Sequence, residues 1–596
     1  MKRQHRMPFG CEVVEGGVRF RLWAPSARSV ELCLGRDGSP IVSSMTSPCP
    51  GWFELLVEGV DAGSRYRFRI DGSLEVPDPA SRSNPDDVHG ASEVVDPTAF
   101  EWLDEGWCGR PWHEAAIYEL HVGAFSPEGN FAGVRERLDY LAALGVTAIE
   151  LMPVADFPGR RNWGYDGVLP FAPDSSYGTP DELKALVQAA HARNLMVFLD
   201  VVYNHFGPEG NYLHAYAKPF FTDRHKTPWG DAIALDGPEG HTICDFFVHN
   251  ALYWLEEFHF DGLRLDAVHA IPDAGRQRLL VALAEAVRSG PGRARHIHLV
   301  LENDANEARY LRHPPDAAKL FDAQWNDDFH HVAHVLLTGE RDGYYADYAD
   351  APAERLCRCL SAGFAWQGEA SAFRGGAARG ESTAGLPPEA FVAFLQNHDQ
   401  IGNRAFGERI GQLTEAQAVD AATSLLLLAP FPPLIFMGEE FGAATPFLFF
   451  CDFGPDLAQA VTQGRRGEFA RFAAFADSRL DWDSATREPH AARLARSRAL
   501  LALRAREIAP RLAAMRAEGA QCRRLGAAAV QAQWRLGDGT TLAVVTNLGQ
   551  DALTGVARPP GRVLDATPAG ADAALSLGSL PAWSTVWLLD EAPAAP

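Results

Sequence analysis

The sequence predicts an α/β protein: a (β/α)8 TIM barrel with an N-terminal β-sandwich before it and a C-terminal β-sandwich after it. Three observations carry that expectation. Residues 9–100 alternate apolar and polar side chains in short runs separated by turn signals. From about Ala115, short apolar strands alternate with amphipathic helices, the rhythm of parallel strands joined by helical crossovers. Near the end of the chain the alternation returns to strands alone. The expected division is an immunoglobulin-like sandwich over 1–100, the barrel over 101–496, and a helical link with the second sandwich over 497–596. At 596 residues the length suggests about three or four domains, fewer where one is a large barrel.

In the first domain Val18-Arg-Phe-Arg-Leu-Trp23 alternates cleanly. Ser29–Leu34, Trp52–Val57 and Tyr66–Ile70 continue the series, with Ala24-Pro, Arg36-Asp-Gly and Asp71-Gly as turns. Val76 through Pro97 is rich in proline and polar residues and reads as the linker out of this domain. The eight expected barrel strands are Ile117–Val122, Ala148–Met152, Met196–Val202, Gly262–Leu265, His298–Glu302, Phe321–Trp325, Phe391–Gln396 and Leu434–Met437. Thr179-Pro-Asp-Glu182 is a capping box with proline at the first helical position, opening a helix to about Arg193. Asp245–Phe258 has helical spacing of its apolar residues. Insertions fall near 203–244 and 340–385. Residues 497–519 read as helix, and Val530–Leu536, Thr541–Asn547 and Ser584–Leu589 as strands. After Glu591 the chain is a low-complexity Ala/Pro tail.

A net charge of −23 argues against nucleic acid or an anionic membrane as partner, since both want clustered Lys and Arg. Nine scattered cysteines cannot all pair, and Cys357-Arg-Cys359 is not the C-x-x-C of redox or zinc sites, so free thiols in a reducing compartment are expected. The basic Met1-Lys-Arg-Gln-His-Arg6 is not followed by an apolar segment, and the run from Leu425 to Met437 is short and broken by prolines. The expected address is the cytoplasm. The expected state is a monomer or weak homodimer.

In a barrel of this kind, functional groups gather at the C-terminal ends of the strands. Four expected strands end in polar clusters: Asp200-Val-Val-Tyr-Asn-His205, Arg264-Leu-Asp266, Glu302-Asn-Asp304 and Asn397-His-Asp399. Arg264 and Asp266 project to one side of their strand, Leu263 and Leu265 to the other. A single Arg–Asp pair on a buried strand is equally the mark of an ion pair that only holds the fold. Four such ends in one barrel are hard to explain by stability alone.

These stretches resemble the signature regions of the α-amylase superfamily of glycoside hydrolases, in the right order. The diagnostic ones are Phe258-His-Phe-Asp-Gly-Leu-Arg-Leu-Asp-Ala-Val-His269, Glu302-Asn-Asp304, Gln324-Trp-Asn-Asp-Asp-Phe-His-His331 and Phe394-Leu-Gln-Asn-His-Asp-Gln-Ile-Gly-Asn-Arg404. The last two, with a sandwich on either side of the barrel, resemble the maltooligosyltrehalose trehalohydrolase branch, whose first domain is of the carbohydrate-binding-module type.

The resemblance implies a retaining α-glycosidase. Such an enzyme needs one carboxylate to attack the anomeric carbon and a second carboxyl to protonate the leaving oxygen. It gives Asp266 as nucleophile, Glu302 as general acid/base and Asp399 as the third acid, holding sugar hydroxyls. A Glu302 crowded by other carboxylates would keep its proton near neutrality. The implied substrate is maltooligosyltrehalose, cut at the α-1,4 bond next to the terminal trehalose. His205 and His398 match positions that hydrogen-bond the sugar at the cleavage point. Tyr165, in Trp163-Gly-Tyr-Asp166, matches a tyrosine that stacks under it, with a core tyrosine as the alternative.

One departure stands out. Many members carry Lys-His three and four residues past the nucleophile, where this chain has His269 and Ala270. The far side of the cut is therefore expected to differ from an ordinary amylase, lined by His269, Asp327, Asp328, His330, His331, Gln400 and Asn403 beside Arg264. For Asp327 and Asp328 a helix cap is the competing reading. Asp200 and Asn204 raise calcium, which wants six to eight oxygens. No dedicated acidic loop is present, and neither metal nor cofactor is expected. Three rivals remain: a glycogen branching or debranching enzyme, a metal-dependent barrel hydrolase using Asp200, His205, Asp266 and His269, and a non-catalytic glucan-binding protein.

Overall fold

The computed structural model describes residues 1–35, 41–227, 230–312, 319–454, 475–515 and 519–591. The expected Arg36-Asp-Gly turn and the tail after Glu591 lie outside the described residues.

All eight expected barrel strands form, at Ile117–Leu120, Ala148–Leu151, Met196–Val201, Gly262–Leu265, His298–Leu301, Ala323–Trp325, Phe391–Val392 and Leu434–Phe436. They pair in parallel in sequence order, and the eighth pairs back onto the first. The gap between the seventh and eighth is closed by a parallel bridge between Ala393 and Pro433. Ala393 N donates to Pro432 O and Leu434 N to Ala393 O. The cylinder closes with each strand buried on both faces and helices covering the outside. Those helices include Pro180–His191, Gly240–Glu257, Asp273–Ser289, Asp327–Thr338 and Ala416–Leu428. The Thr179 capping box is made on both sides: Thr179 N donates to Glu182 Oε2 at 2.8 Å, and Glu182 N to Thr179 Oγ1 at 3.2 Å.

The insertion near 203–244 carries the ribbon Phe221–Thr227/Gly230–Ile233, and the one near 340–385 a helix, Pro352–Ala362, and the ribbon Glu369–Ala370/Ala378–Arg379.

The first domain is two antiparallel sheets. One contains Gly10–Val14, Gly17–Trp23 and Trp52–Glu58. The other contains Ile41–Ser44, Val30–Leu34, Arg65–Ile70, Leu74–Val76 and Ser92–Glu93. Phe20 and Tyr66 meet edge-to-face across them at 4.9 Å, so alternation puts one face of each sheet in a shared core.

The stretch after Val76 corrects the sequence reading. The linker is not a loose one but a packed strap. Asp78, Ser81, Arg82, Ser83, Asn84 and Ser92 are buried. Tyr66 OH donates to Asp78 at 2.7 Å, and Arg82 to Glu257 of the barrel helix at 2.8 Å. Its polar groups look like loop composition in sequence because their partners lie far along the chain.

After the barrel the chain is helical over His490–Leu503, continues through a π-helical turn and Ala509–Leu512, and enters a five-stranded antiparallel sheet. Two of its strands, Gln521–Arg524 and Arg562–Thr567, went unread in the sequence. One face packs on the barrel: Trp534 Nε1 donates to Leu360 O and Trp587 Nε1 to Ser424 O. The other packs on the ribbon Leu553–Thr554/Ser579–Leu580 and helix Ala571–Ser576.

The expectation of nine free thiols also needs correcting. Cys357, on helix Pro352–Ala362, is disulfide-bonded to Cys522 on the edge strand, with Cα atoms 5.2 Å apart. Cys11, Cys33, Cys49, Cys108, Cys244 and Cys359 are free thiols. The partners lie 165 residues apart, so no local spacing announced them. No described helix is long and apolar enough to cross a membrane.

Candidate active site

Arg264 is the hub of the strand ends. It is fully buried in the barrel, its guanidinium 4.1 Å from the centre of the Trp325 ring. Nη1 donates to Asp200 Oδ2 at 2.9 Å and to Asp266 Oδ1 at 2.7 Å, and Nη2 lies 3.7 Å from Glu302 Oε2. Neighbouring strands three, four and five thus deliver three carboxylates to one cation. The arrangement follows from register: Asp200 is paired with Arg264 and Arg264 with Val300, so Asp266 and Glu302 both stand one step past the strand ends.

From Asp200 the network continues around the mouth. Tyr165 OH donates to Asp200 Oδ2 at 2.7 Å and meets His398 Nε2 at 2.9 Å. The Tyr165 ring stacks on that imidazole at 5.2 Å, packed against the edge of the main core and still partly exposed. His398 Nδ1 meets Glu119 of the first strand at 2.5 Å, and Nε2 lies 3.6 Å from Asp399 Oδ1. Burial opposes the charge on His398, but Glu119 and Asp399 outweigh it and lift the imidazole to about 9. Asp399 is set by a second capping box: its N–H donates to Asn397 Oδ1 at 2.9 Å, and Asn397 N to Gln400 Oε1 at 2.9 Å. Asp266, Glu302 and Asp399 therefore converge on one mouth, with side chains 12%, 15% and 45% exposed.

Burial raises the Glu302 carboxyl above its usual range. Arg264 opposes that, and the carboxylates of Asp266 and Asp399 add to it. Crowding by other acids is thus present, but burial is the larger cause. Glu302 Oε2 also accepts the N–H of Ala267, which takes up a left-handed φ of 40° directly after Asp266. That turn, sparsely populated by residues with a Cβ, ties the two acid-bearing strand ends together.

His269 stands at the same mouth, its Nδ1 accepting from Asp304 N at 3.3 Å. Asp327 keeps part of its surface open, and burial, with Glu302 and Asp304 nearby, pushes its carboxyl well above the usual range. Asn403 is exposed, donating to Asp399 at 3.3 Å. His331 packs against Tyr344 and Tyr348.

Two expected lining residues are not brought to the mouth. Asp328 is fully buried and serves as an internal anchor, accepting from Asn306 and from the N–H groups of Ala365 and Trp366. His330 spends Nδ1 on Leu395 O and Nε2 on Tyr345 OH. One helical turn places these neighbours of Asp327 inward. His205 is buried under the site, with Nδ1 on Asn204 and Nε2 on Tyr165 O, both at about 3 Å.

Sequence reasoning passed over Glu119, Glu150, Arg374 and Arg379. Glu119 and Glu150 are buried carboxylates on strands one and two, and the test applied to strands three and four would have found both. Arg374 and Arg379 hold Asp304 from the second insertion, and no strand pattern marks them.

Where a cation would have to sit between Asp200 and Asp266, the guanidinium of Arg264 already stands. Among the described residues no group of three or more His, Cys, Asp or Glu side chains is placed to hold a metal ion.

Family models match three stretches of the chain. Residues 77–231 match "Alpha amylase, catalytic domain", 8–95 match "Carbohydrate-binding module 48 (Isoamylase N-terminal domain)" and 517–587 match "Domain of unknown function (DUF3459)". The malto-oligosyltrehalose trehalohydrolase of Saccharolobus solfataricus is 43% identical over 484 residues, 80% of this chain and 84% of that one. A crystal structure at 1.4 Å resolution of a provisionally named alpha amylase from Salmonella typhimurium superposes with a TM-score of 0.92 at 44% identity, covering 98% of this chain and 99% of that one. The 1,4-alpha-glucan branching enzyme of Burkholderia thailandensis matches less far, 36% identical over 42% of this chain and 33% of its own.

Proposed function

The chain belongs to the malto-oligosyltrehalose trehalohydrolase family of α-amylase-type glycoside hydrolases, and on that footing we propose that it hydrolyses the α-1,4 bond next to the terminal trehalose of maltooligosyltrehalose, with retention. The observation that carries the assignment of roles is the meeting of Asp266 and Glu302 on Arg264. A retaining glycosidase needs its two carboxyl groups about 5–5.5 Å apart, and two acids sharing one guanidinium suit that spacing.

Arg264 holds Oδ1 of Asp266 by a charge-assisted bond, leaving Oδ2 to attack the anomeric carbon. As the C1–O bond breaks, the proton on Glu302 passes to the leaving oxygen and trehalose departs. Water then attacks the glycosyl–Asp266 ester, Glu302 takes its proton back, and Asp266 is released with the shortened maltooligosaccharide. Asp399 holds sugar hydroxyls beside the reacting centre, and Tyr165 and His398 give that sugar a wall and a hydrogen-bonding edge, with His205 bracing Tyr165 from below. His269, Asp327, His331, Gln400 and Asn403 are assigned to the trehalose side.

The balance of charge, −23, supports a neutral sugar substrate with neither nucleic acid nor membrane as partner, and we assign the chain to the cytoplasm as a monomer or weak homodimer. The functional division follows 1–100, 101–496 and 497–596. No metal takes part in this reading, and undiminished activity in chelator is the expected result.

Incubation with maltooligosyltrehalose, amylose and a branched glucan, followed by chromatography, tests the substrate. Free trehalose from the first is expected. New α-1,6 branches formed on amylose, without trehalose from the first substrate, would instead favour the branching-enzyme reading.

A further inference from the structure

A cavity of about 590 Å3 lies beside the barrel, between the turn after the eighth strand, the segment 409–420 and the helix His490–Leu503. Three arginines from two separate stretches of chain line it: Arg409, Arg493 and Arg496. Arg409 is 2% exposed. Its Nε donates to Thr445 O at 2.6 Å and Nη1 to Met437 O at 2.8 Å, which pins the guanidinium, but Nη2 has no hydrogen-bond partner among the described residues. A buried donor left unmade costs free energy, so a group pinned this way is poised for something the chain does not supply. Arg493 lies 3.1 Å from Asp420, and Arg496 uses Nη2 on Asp565 and Thr567. His490 spends only Nδ1, on Phe441 O at 2.9 Å.

We propose that this cavity is a binding site for a small phosphomonoester, the phosphate seated on Arg409 and Arg493 and the remainder of the molecule in the space beside them. Converging guanidiniums suit the oxygens of a phosphate. The volume lies within the usual range for small-molecule sites and exceeds what a bare phosphate fills. A neutral glucan fits it poorly: Phe441, on its wall beside the His490 imidazole, is fully buried and offers no face for a sugar to stack on. Arg493 and Arg496 are already paired with Asp420 and Asp565, so the uncompensated positive charge of the cavity is that of Arg409. Burial lowers Arg409 to about 10, so it stays cationic at neutral pH, and burial lifts Glu439 on the same wall to about 8, so it is mostly protonated there.

Calorimetric titration of the full chain with glucose 6-phosphate, inorganic phosphate and glucose at fixed ionic strength tests the site. Glucose 6-phosphate should bind saturably at one site, inorganic phosphate more weakly, and glucose not at all. Losing one charge-assisted contact should weaken binding by about 10-fold or more, both in Arg409→Gln and in Arg493→Gln. Arg409 also anchors a turn. Arg493→Gln, which leaves that turn's carbonyl contacts intact, therefore carries the test if Arg409→Gln unfolds. Inorganic phosphate binding as tightly as the sugar phosphate would show an anion site without room for the ester and would overturn the proposal. So would no saturable binding of either, or undiminished binding in Arg493→Gln.

Discussion

Arg264 Nη1 donates to Asp266 Oδ1 at 2.7 Å from a position with no exposure to solvent. A buried cation costs too much to stand unpaired, and this one is surrounded by Asp200, Asp266 and Glu302. The pair that looks like a fold-holding ion bridge in sequence is therefore the piece that brings the acids of three strands to one place.

The pH dependence should follow from Glu302. Its carboxyl is raised by burial and by neighbouring acids, so the protonated acid persists above the usual carboxylate range, and kcat/KM should fall on the basic side as that proton is lost. A profile with no basic limb between about pH 5 and 9 contradicts Glu302 as the acid. Glu302→Gln should lower kcat by about 10^2 to 10^4-fold on maltooligosyltrehalose and by much less on a glycosyl fluoride, whose leaving group needs no proton.

Glu119→Gln should destabilise the fold in a pH-dependent way. His398 is raised to about 9 in the folded chain against an ordinary value of 6.5, so the stabilisation is complete below about 6.5 and is lost as pH rises through about 9. Because Asp399 supplies part of that shift and remains, the substitution should cost at most about 3 kcal/mol at pH 7 and little at pH 10. Equal losses at both pH values, in denaturant unfolding, would mean that His398 is not held as the cation.

Tyr165→Phe removes the hydroxyl that joins Asp200 to His398 but keeps the ring. A kcat drop of about 10-fold with KM little changed is expected. Tyr165→Ala should in addition raise KM. Equal KM for the two variants would count against a stacking role for the ring.

Thiol titration of the unfolded chain should find two more groups after reduction than before it, because Cys357 and Cys522 are joined. Cys357→Ser should lower stability by about 2–4 kcal/mol, through the long loop that the bridge closes. Nine thiols before reduction would show the bridge absent and restore the reading of a fully reduced chain.

Much of this was legible in sequence. Eight strands, their order and the four acid-bearing ends follow from short apolar runs alternating with amphipathic helices and from where charge interrupts those runs. What escaped depends on contacts between distant residues. Asp328 and Asp327 are adjacent, yet helix phase turns one inward to Arg379 and leaves the other at the mouth. Arg82 and Asp78 sit in a stretch whose composition is that of a loop, and only Glu257 and Tyr66 reveal it as packed. Cys357 and Cys522 carry no spacing signal at all.

The central claim is that Asp266 attacks the sugar while Glu302 gives the proton. Incubating the protein with a 5-fluoro-glucosyl fluoride slows release of the glycosyl–enzyme, and peptide mass mapping then locates the modified carboxylate. The account predicts a single added glycosyl group on the peptide bearing Asp266, absent in Asp266→Asn. A label on any other acid, or turnover of maltooligosyltrehalose by Asp266→Asn at the wild-type rate, would contradict it.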